Sequence, residues 1–286
     1  GTAEASNKKL RALLGGKGFG IEVIRGLGLP VAPSFTIDTS VCRDFLSNPD
    51  GGLDPKLTTS VHQALKSIEK VADKKFGDPT KPLLVSVRSG GEFSMPGMMD
   101  TVLNVGINDQ IVEGLIAIKE ERFAFDAYRR FLEGYGKIVL GIGTDPNTGE
   151  KTNDPFSESF DMVKKDHGIT DDNFLGAPEL SSIVDIYKEI IENSGHTIPQ
   201  DPAIQLENTI QAVFKSWNSP RAVAYREANG IDNNLGTAVT VQEMKFGNRG
   251  ENSGTGVLFT RDPNTGENIL YGDVLFNAQG EDVVAG

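Results

Sequence analysis

The 286-residue chain holds a single cysteine, Cys42. One thiol excludes an internal disulfide framework and any cysteine-based metal cluster, and it suits a reducing compartment. No uninterrupted apolar run approaches the roughly 20 residues of a membrane span. The opening stretch GTAEASNKKLRALLGG lacks the apolar centre of a signal peptide. Basic side chains are the minority charge, 28 Lys and Arg against 40 Asp and Glu, for a formal charge of −12. An acidic surface repels a polyanion, which disfavours a nucleic-acid partner. A membrane-free, cytoplasmic chain is expected. Its length exceeds that of a single core, so two or more subdomains are expected.

Glycine is the residue in excess. There are 33 in the chain, against an average share of about 7%. They cluster at 15–28, 90–106, 134–149, 230–256 and 266–286, between apolar runs. Such clusters mark tight loops where backbone approaches something closely. In an acidic chain, that something is more plausibly a small phosphate-bearing molecule than a polymer.

The coarse patterning runs α/β, then mostly α, then β. Residues 8–27 read as a loop and a helix, 31–37 as a short strand, and 40–77 as helix broken at Asn48-Pro49-Asp50-Gly51-Gly52. Leu83 to Arg88 reads as a strand running into a Ser89-Gly90-Gly91 loop. Residues 108–140, 179–194 and 203–228 are helical, the last broken at Pro220, and 141–180 is polar and weakly patterned. Strands follow at 236–242, 257–261 and 268–276, the last two forming a hairpin about the Asp262-Pro263-Asn264-Thr265-Gly266 turn. The class is α+β with a helical insertion.

Five segments carry candidate chemistry. Gly15-Gly16-Lys17-Gly18 at a helix start offers amides, a positive helix end and a cation to an anion. It lacks the P-loop spacing. Arg88, at a strand end before glycines, offers a planar fork matched to phosphate oxygens. It leads into Ser94-Met95-Pro96-Gly97-Met98-Met99-Asp100, whose methionines are read as anchors for a loop that presents backbone. Gln242-Glu243-Met244 ends an apolar strand and can offer backbone groups to an adenine edge. Asn252-Ser253-Gly254-Thr255-Gly256 leaves amides for phosphate oxygens. Asp273 with Asn277-Ala278-Gln279-Gly280-Glu281-Asp282 supplies oxygen ligands of the kind Mg2+ prefers. Singly, each has a plainer reading: a solvated lysine, a methionine plug, a plain strand, a hairpin loop, an acidic turn.

In order, LLGGKGFG, SVRSGGEFSMPGMMDTVLNVG, RFAFDAYRRF, VFKSWNSPRAVAYR, GTAVTVQEMKFGN, SGTGVLFTRDPNTGE and NAQGEDVVAG resemble the N-terminal nucleotide-binding part of the pyruvate, phosphate dikinase family over essentially the whole chain. The resemblance implies an ATP-grasp fold, with ATP between two α+β lobes. Residues 1–107 and 196–239 would form one lobe, 108–195 the helical insertion, and 240–286 the start of the second lobe. It implies Lys17 and Arg88 as phosphate-contacting cations, and Arg130 as an arginine linked to phosphate chemistry. Gln242, Glu243 and Met244 would be the adenine hinge. Gly97 and the 252–256 loop, with Gly254, Thr255 and Gly256, would be mobile covers. Glu281, with Gln279 and Asp273, would hold Mg2+.

The family's reaction converts ATP, inorganic phosphate and pyruvate into AMP, pyrophosphate and phosphoenolpyruvate through a phosphohistidine on a separate carrier domain. None of His62, His167 and His196 lies in the family's Thr-Ser-His carrier motif, and Glu92 stands where a basic or small residue is expected. The expected partners are therefore ATP, inorganic phosphate and the carrier-histidine domain of the same full-length chain, with the 286-residue piece monomeric. The competing readings are a phosphoenolpyruvate synthase-like domain, a carboxylate–amine ligase of the same fold, and a nucleotide-sensing module.

Overall fold

The computed structural model describes residues 3–145 and 152–285. The glycine cluster at 134–149 and the polar stretch at 141–180 therefore fall partly outside the described residues. In chain order the elements are α1 (Ala3–Gly26), β1 (Ser34–Ile37), α2 (Thr39–Ser47), α3 (Pro55–Ala72), β2 (Val85–Gly90), β3 (Thr101–Val105), α4 (Asp109–Ala117) and α5 (Glu121–Ile138). They continue as α6 (Pro155–Asp166), α7 (Ala177–Asn193), α8 (Pro202–Ser216), α9 (Pro220–Ala228), β4 (Ala238–Glu243), β5 (Gly254–Phe259), β6 (Tyr271–Phe276) and α10 (Gly280–Ala285).

Local chemistry sets most boundaries. Asp54-Pro55, Asp154-Pro155, Asp201-Pro202 and Ser219-Pro220 each place a capping oxygen one residue before a proline. The oxygen takes an orphan amide, and the proline has no amide to satisfy. This explains why the break expected at Pro220 is the start of α9.

β1, β4, β2 and β3 form an antiparallel sheet in that order, and β5 and β6 form a separate two-stranded ribbon. The period of two divides the four-stranded sheet into unlike faces. Val85, Val87, Val239 and Val241 turn to one face and are fully buried there, in one core with Phe131 and Tyr135 of α5 and Leu206, Ile210 and Phe214 of α8. Each such side chain contributes about 1.5–3 kcal/mol by leaving water. The other face is polar: Ser34 and Thr36 from β1, Ser86 and Arg88 from β2, Thr240 and Gln242 from β4, aligned by the Ser34–Gln242, Thr36–Thr240 and Arg88–Thr240 pairings.

α1 packs on this polar face. A Cβ on its Gly18 would stand 3.0 Å from Thr36 Oγ1. The loop expected before the helix is itself helical. Gly15, at φ 67°, divides α1 into two segments, and a Cβ there would lie 1.8 Å from the Gly90 carbonyl oxygen. Glycine is thus required twice over, by conformation and by contact. Ser89 and Gly90, expected in a loop, complete β2 and pair with Val239 and Ala238. β3 has no counterpart in the sequence expectation. The expected lobe boundary at 239/240 falls within β4, which is hydrogen-bonded to β1 and β2.

Candidate functional site

The polar face of the sheet brings Lys17, Arg88 and Gln242 together. Arg88 Nη2 donates to Gln242 Oε1 at 2.5 Å, and Gln242 Nε2 donates to the Ala32 carbonyl at 3.1 Å. Gln242 therefore holds the guanidinium in place while remaining neutral. Arg88 Nε is buried without a hydrogen-bond partner. Lys17, one residue into the second segment of α1, makes no hydrogen bond or ion pair among the described residues. Its side chain keeps solvent access, yet burial first and the Arg88 charge second push its pKa below the ordinary lysine value. Burial also lowers Arg88.

The pair is thus two neighbouring cations with no carboxylate in contact with either among the described residues. Bare like charges of this kind raise the energy of the ligand-free protein. An anion binding between them would remove both the repulsion and the unmet donor at Arg88 Nε. One amide at the same place is already used, since Gly16 N donates to Gly91 O at 2.8 Å.

The other expected residues divide between places. Gly97, at φ 69°, sits in an open turn closed by Met98 N donating to Met95 O at 3.2 Å. Met95 is buried and Met98 and Met99 pack against the core, so the methionines do anchor the loop. The adenine-hinge reading needs correction in its backbone. Glu243 N donates to Pro33 O and Met244 N to Leu84 O, both at 2.9 Å, so these amides are spent on the residues just before β1 and β2. The Glu243 carboxylate is buried and paired with Lys74 at 2.9 Å and Lys245 at 2.7 Å. Gly254, Thr255 and Gly256 are not a free loop. They are ladder residues of β5, facing Phe276, Leu275 and Val274.

Arg130 lies in a second cluster. From α5 it reaches Glu281 at 3.0 Å and Asp282 at 2.9 and 3.1 Å, while its Nε donates to Asp126 at 3.2 Å. Burial opposes its charge, but Asp126, Asp282 and Glu281 raise its pKa further. No hydrogen bond or ion pair joins this cluster to Lys17 or Arg88 among the described residues. A cavity of about 1070 Å3 opens beside Arg130, walled also by Lys137, Arg221, Asp154 and Glu281. It is not the better anion site, despite its size. Lys137 is already paired with Glu133 and Asp154 at 2.6 Å each, and Arg221 with Asp100.

The expected magnesium set does not fit in this arrangement. Glu281 is engaged by Arg130, Asp273 stands exposed on β6 opposite Val257, and Gln279 is buried with neither amide atom bonded. No group of three or more His, Cys, Asp or Glu side chains able to hold a metal occurs among the described residues. Sequence reasoning missed the side-chain role of Gln242, and it missed Asp126 and Asn248; it named Asp282 as an oxygen ligand in the acidic segment, not as the partner of Arg130. Alternation within each strand puts Arg88 and Gln242 on definite faces, but only the strand register sets them side by side.

Fold and site together define an α+β protein with a cationic, phosphate-suited pair on a sheet face. Residues 52–286 match the model of the pyruvate phosphate dikinase, AMP/ATP-binding domain. The chain belongs to that family. It is 48% identical over 281 residues to the chloroplastic pyruvate, phosphate dikinase of Mesembryanthemum crystallinum, covering 98% of this chain and 29% of the relative. It is also 48% identical to pyruvate, phosphate dikinase 2 of Zea mays, covering 98% of this chain and 31% of that protein. Against pyruvate, phosphate dikinase 1, chloroplastic, of Arabidopsis thaliana the identity is 48% over 285 residues, covering 98% and 28%. The chain thus spans less than a third of the length of these relatives. No helix among the described residues is long and apolar enough to cross a membrane.

Proposed function

We propose that this chain is the nucleotide-binding part of a pyruvate, phosphate dikinase. It binds ATP by its phosphates on the polar face of the four-stranded sheet, with the β5–β6 ribbon as the start of the opposing lobe of an ATP-grasp fold. The observation that carries the reading is the Lys17–Arg88 pair, two cations with an unmet donor and no counter-charge among the described residues. ATP brings about four negative charges at neutral pH. Phosphoryl transfer asks of a protein mainly that it position those charges and balance them. In the whole enzyme the bound nucleotide would pass phosphoryl groups to a carrier histidine and to inorganic phosphate, in the interconversion of ATP, phosphate and pyruvate with AMP, pyrophosphate and phosphoenolpyruvate. The spent amides of Glu243 and Met244 direct adenine recognition to the carbonyls and to neighbouring groups. Magnesium enters as the counter-ion that ATP carries.

Calorimetric titration with Mg-ATP tests the reading. Lys17→Ala and Arg88→Ala should each weaken binding by about 1.5–3 kcal/mol, the scale of a hydrogen bond to a charged group. Unchanged affinity in both variants would reject it. A titration in which Mg-ATP binds the parent no better than inorganic sulfate would reject the nucleotide in favour of a general anion site.

A further inference from the structure

The ribbon of β5 and β6 joins the rest of the molecule by its two ends. Both reach Asp126, and the entry linker is held besides by Arg249, paired with Glu120 and lying over the Phe123 ring, and by Phe246 against Phe123. Asp126, on α5, is 3% exposed. Its Oδ2 accepts from Asn248 Nδ2 at 2.7 Å, and Asn248, itself 2% exposed, lies on the linker that enters β5. Its Oδ1 accepts from Arg130 Nε at 3.2 Å and pairs with Arg129 at 2.8 Å. With its Nε edge fixed in this way, Arg130 presents its outer edge to Asp282, two-pronged at 2.9 and 3.1 Å, and to Glu281 at 3.0 Å. Those carboxylates follow the exit from β6. Asp282 Oδ2 also accepts from Gln279 N at 2.7 Å, which ties the turn between β6 and α10 to the same pair. Linker and turn touch each other as well, since a Cβ on Gly247 would stand 2.3 Å from the Ala278 carbonyl oxygen. A second, weaker anchor leads away from the ribbon, where the Arg129 guanidinium lies 4.5 Å over the Phe160 ring of α6.

From this geometry we infer that Asp126 is a positioning residue: it orients Arg130 and, through Arg130 and Asn248, sets how the β5–β6 ribbon stands against the sheet that carries Lys17 and Arg88. A purely structural carboxylate needs only to neutralise Arg129. Here one carboxylate meets the entry to the ribbon with one oxygen and, with the other, the arginine that grips its exit. The role for the nucleotide rests on the reading above, in which the ribbon begins the opposing lobe. The positional role does not.

The experiment measures both. Spin labels at Lys66→Cys on α3 and Asn264→Cys at the ribbon turn report the ribbon's position, while Cys42 is fully buried and its thiol, pushed up to about 11 by burial, resists labelling. Asp126→Asn should broaden the label–label distance distribution as much as Arg130→Ala does. The double variant should be no broader than Arg130→Ala alone, since Asp126→Asn keeps an oxygen for Asn248 Nδ2 and removes only the charge that orients Arg130. Mg-ATP affinity should fall about tenfold in each single variant, and no further in the double. A lower melting temperature for Asp126→Asn with the parental distance distribution, while Arg130→Ala broadens it, would reduce Asp126 to a structural role and overturn the inference. Parental distributions in both variants would overturn it too. Should Asp126→Asn fail to fold, Asn248→Ala decides: partial broadening supports the inference, and an unchanged distribution overturns it. Absence of Mg-ATP binding in the parent refutes the nucleotide reading alone, because the distance measurements stand without it.

Discussion

Replacing Lys17 with methionine separates the cost of the cationic pair from its use. Methionine keeps the unbranched stem and removes the charge. In the ligand-free protein the charge is unfavourable, because burial and Arg88 both lower the pKa of Lys17. The side chain is partly solvated, so this penalty is discounted to the scale of exposed charge pairs, about 0.5 kcal/mol. In a chain of this size that is roughly 1–2 °C in Tm. Lys17→Met should therefore melt slightly higher than the parent without nucleotide. With saturating Mg-ATP the order should reverse. Loss of a charged hydrogen bond weakens binding by about 1.5–3 kcal/mol, or roughly 10- to 150-fold, and the ligand-induced rise in Tm shrinks accordingly. There is a proton signature as well. A lysine with lowered pKa is partly neutral between that pKa and the ordinary value of 10.5. In that window the unfolded chain binds more protons, so parental stability rises with pH there, and ATP binding takes up a proton. Titration in two alkaline buffers of different ionisation enthalpy reads that uptake, which should vanish in Lys17→Met. Arg88 is the poorer probe, because its removal also orphans Gln242 Oε1, at a cost of about 1–3 kcal/mol. The reasoning fails if Lys17→Met destabilises the free protein, or if it binds Mg-ATP as the parent does.

Gln242→Glu would place a counter-charge against Arg88, and should raise the ligand-free Tm while reducing Mg-ATP affinity at least tenfold, since the new carboxylate competes with phosphate; unchanged affinity by calorimetry counts against the site. Gly15→Ala, with its Cβ directed at the Gly90 oxygen and φ at 67°, should lose about 3 kcal/mol or more in urea denaturation. Gly20→Ala, which meets nothing within 4 Å, should gain about 0.5–1 kcal/mol. Asp126 is disfavoured by burial, but Arg129 and Arg130 outweigh that and hold its pKa at about 2, below an ordinary 3.8. Its contribution, roughly 2 kcal/mol, is present above the ordinary value and is lost as pH falls through about 2. Parental stability should drop across that window, and that of Asp126→Asn should be flatter.

What could be read from the sequence was whatever depends on neighbours along the chain. The helical periodicity of α3 and α8, the Asp262-Pro263 hairpin and the cationic character of Lys17 and Arg88 are of this kind, whereas α6, which opens at Asp154-Pro155 inside the polar 141–180 stretch, was missed. β3 escaped because Thr101–Val105 is short and follows the turn-rich Met95–Asp100 segment, so its strand character comes from pairing with β2. The first half of α1 escaped because Gly15-Gly16-Lys17-Gly18 read as the start of a helix after a loop, whereas the left-handed Gly15 lets two helical segments follow each other over Gly90. The spent amides of Glu243 and Met244 depend on Pro33 and Leu84, some 160–210 residues away in the chain. Asp126 escaped for the same reason: its partner Asn248 is separated from it by most of the helical part of the chain.

The two arginines assigned to phosphate chemistry stand in opposite electrostatic states, and charge arithmetic orders their use. Among the described residues Arg88 has only a neutral amide for a partner, so an incoming phosphate gains its full attraction. Arg130 is met by Asp126, Glu281 and Asp282. Even with Arg129 counted, three carboxylates stand against the two guanidiniums in direct contact, so a phosphate approaching Arg130 finds its charge already met. Asp126 is buried under both arginines and is fixed, but Glu281 is about half exposed and an exposed ion pair of this kind holds by about 0–1 kcal/mol. Arg130 can therefore meet a phosphate only after the ribbon end carrying Glu281 and Asp282 has swung away, whereas Lys17 and Arg88 can do so at once. If ATP binds as proposed, the polar sheet face would take it first, and any service from Arg130 would follow a movement of β5 and β6.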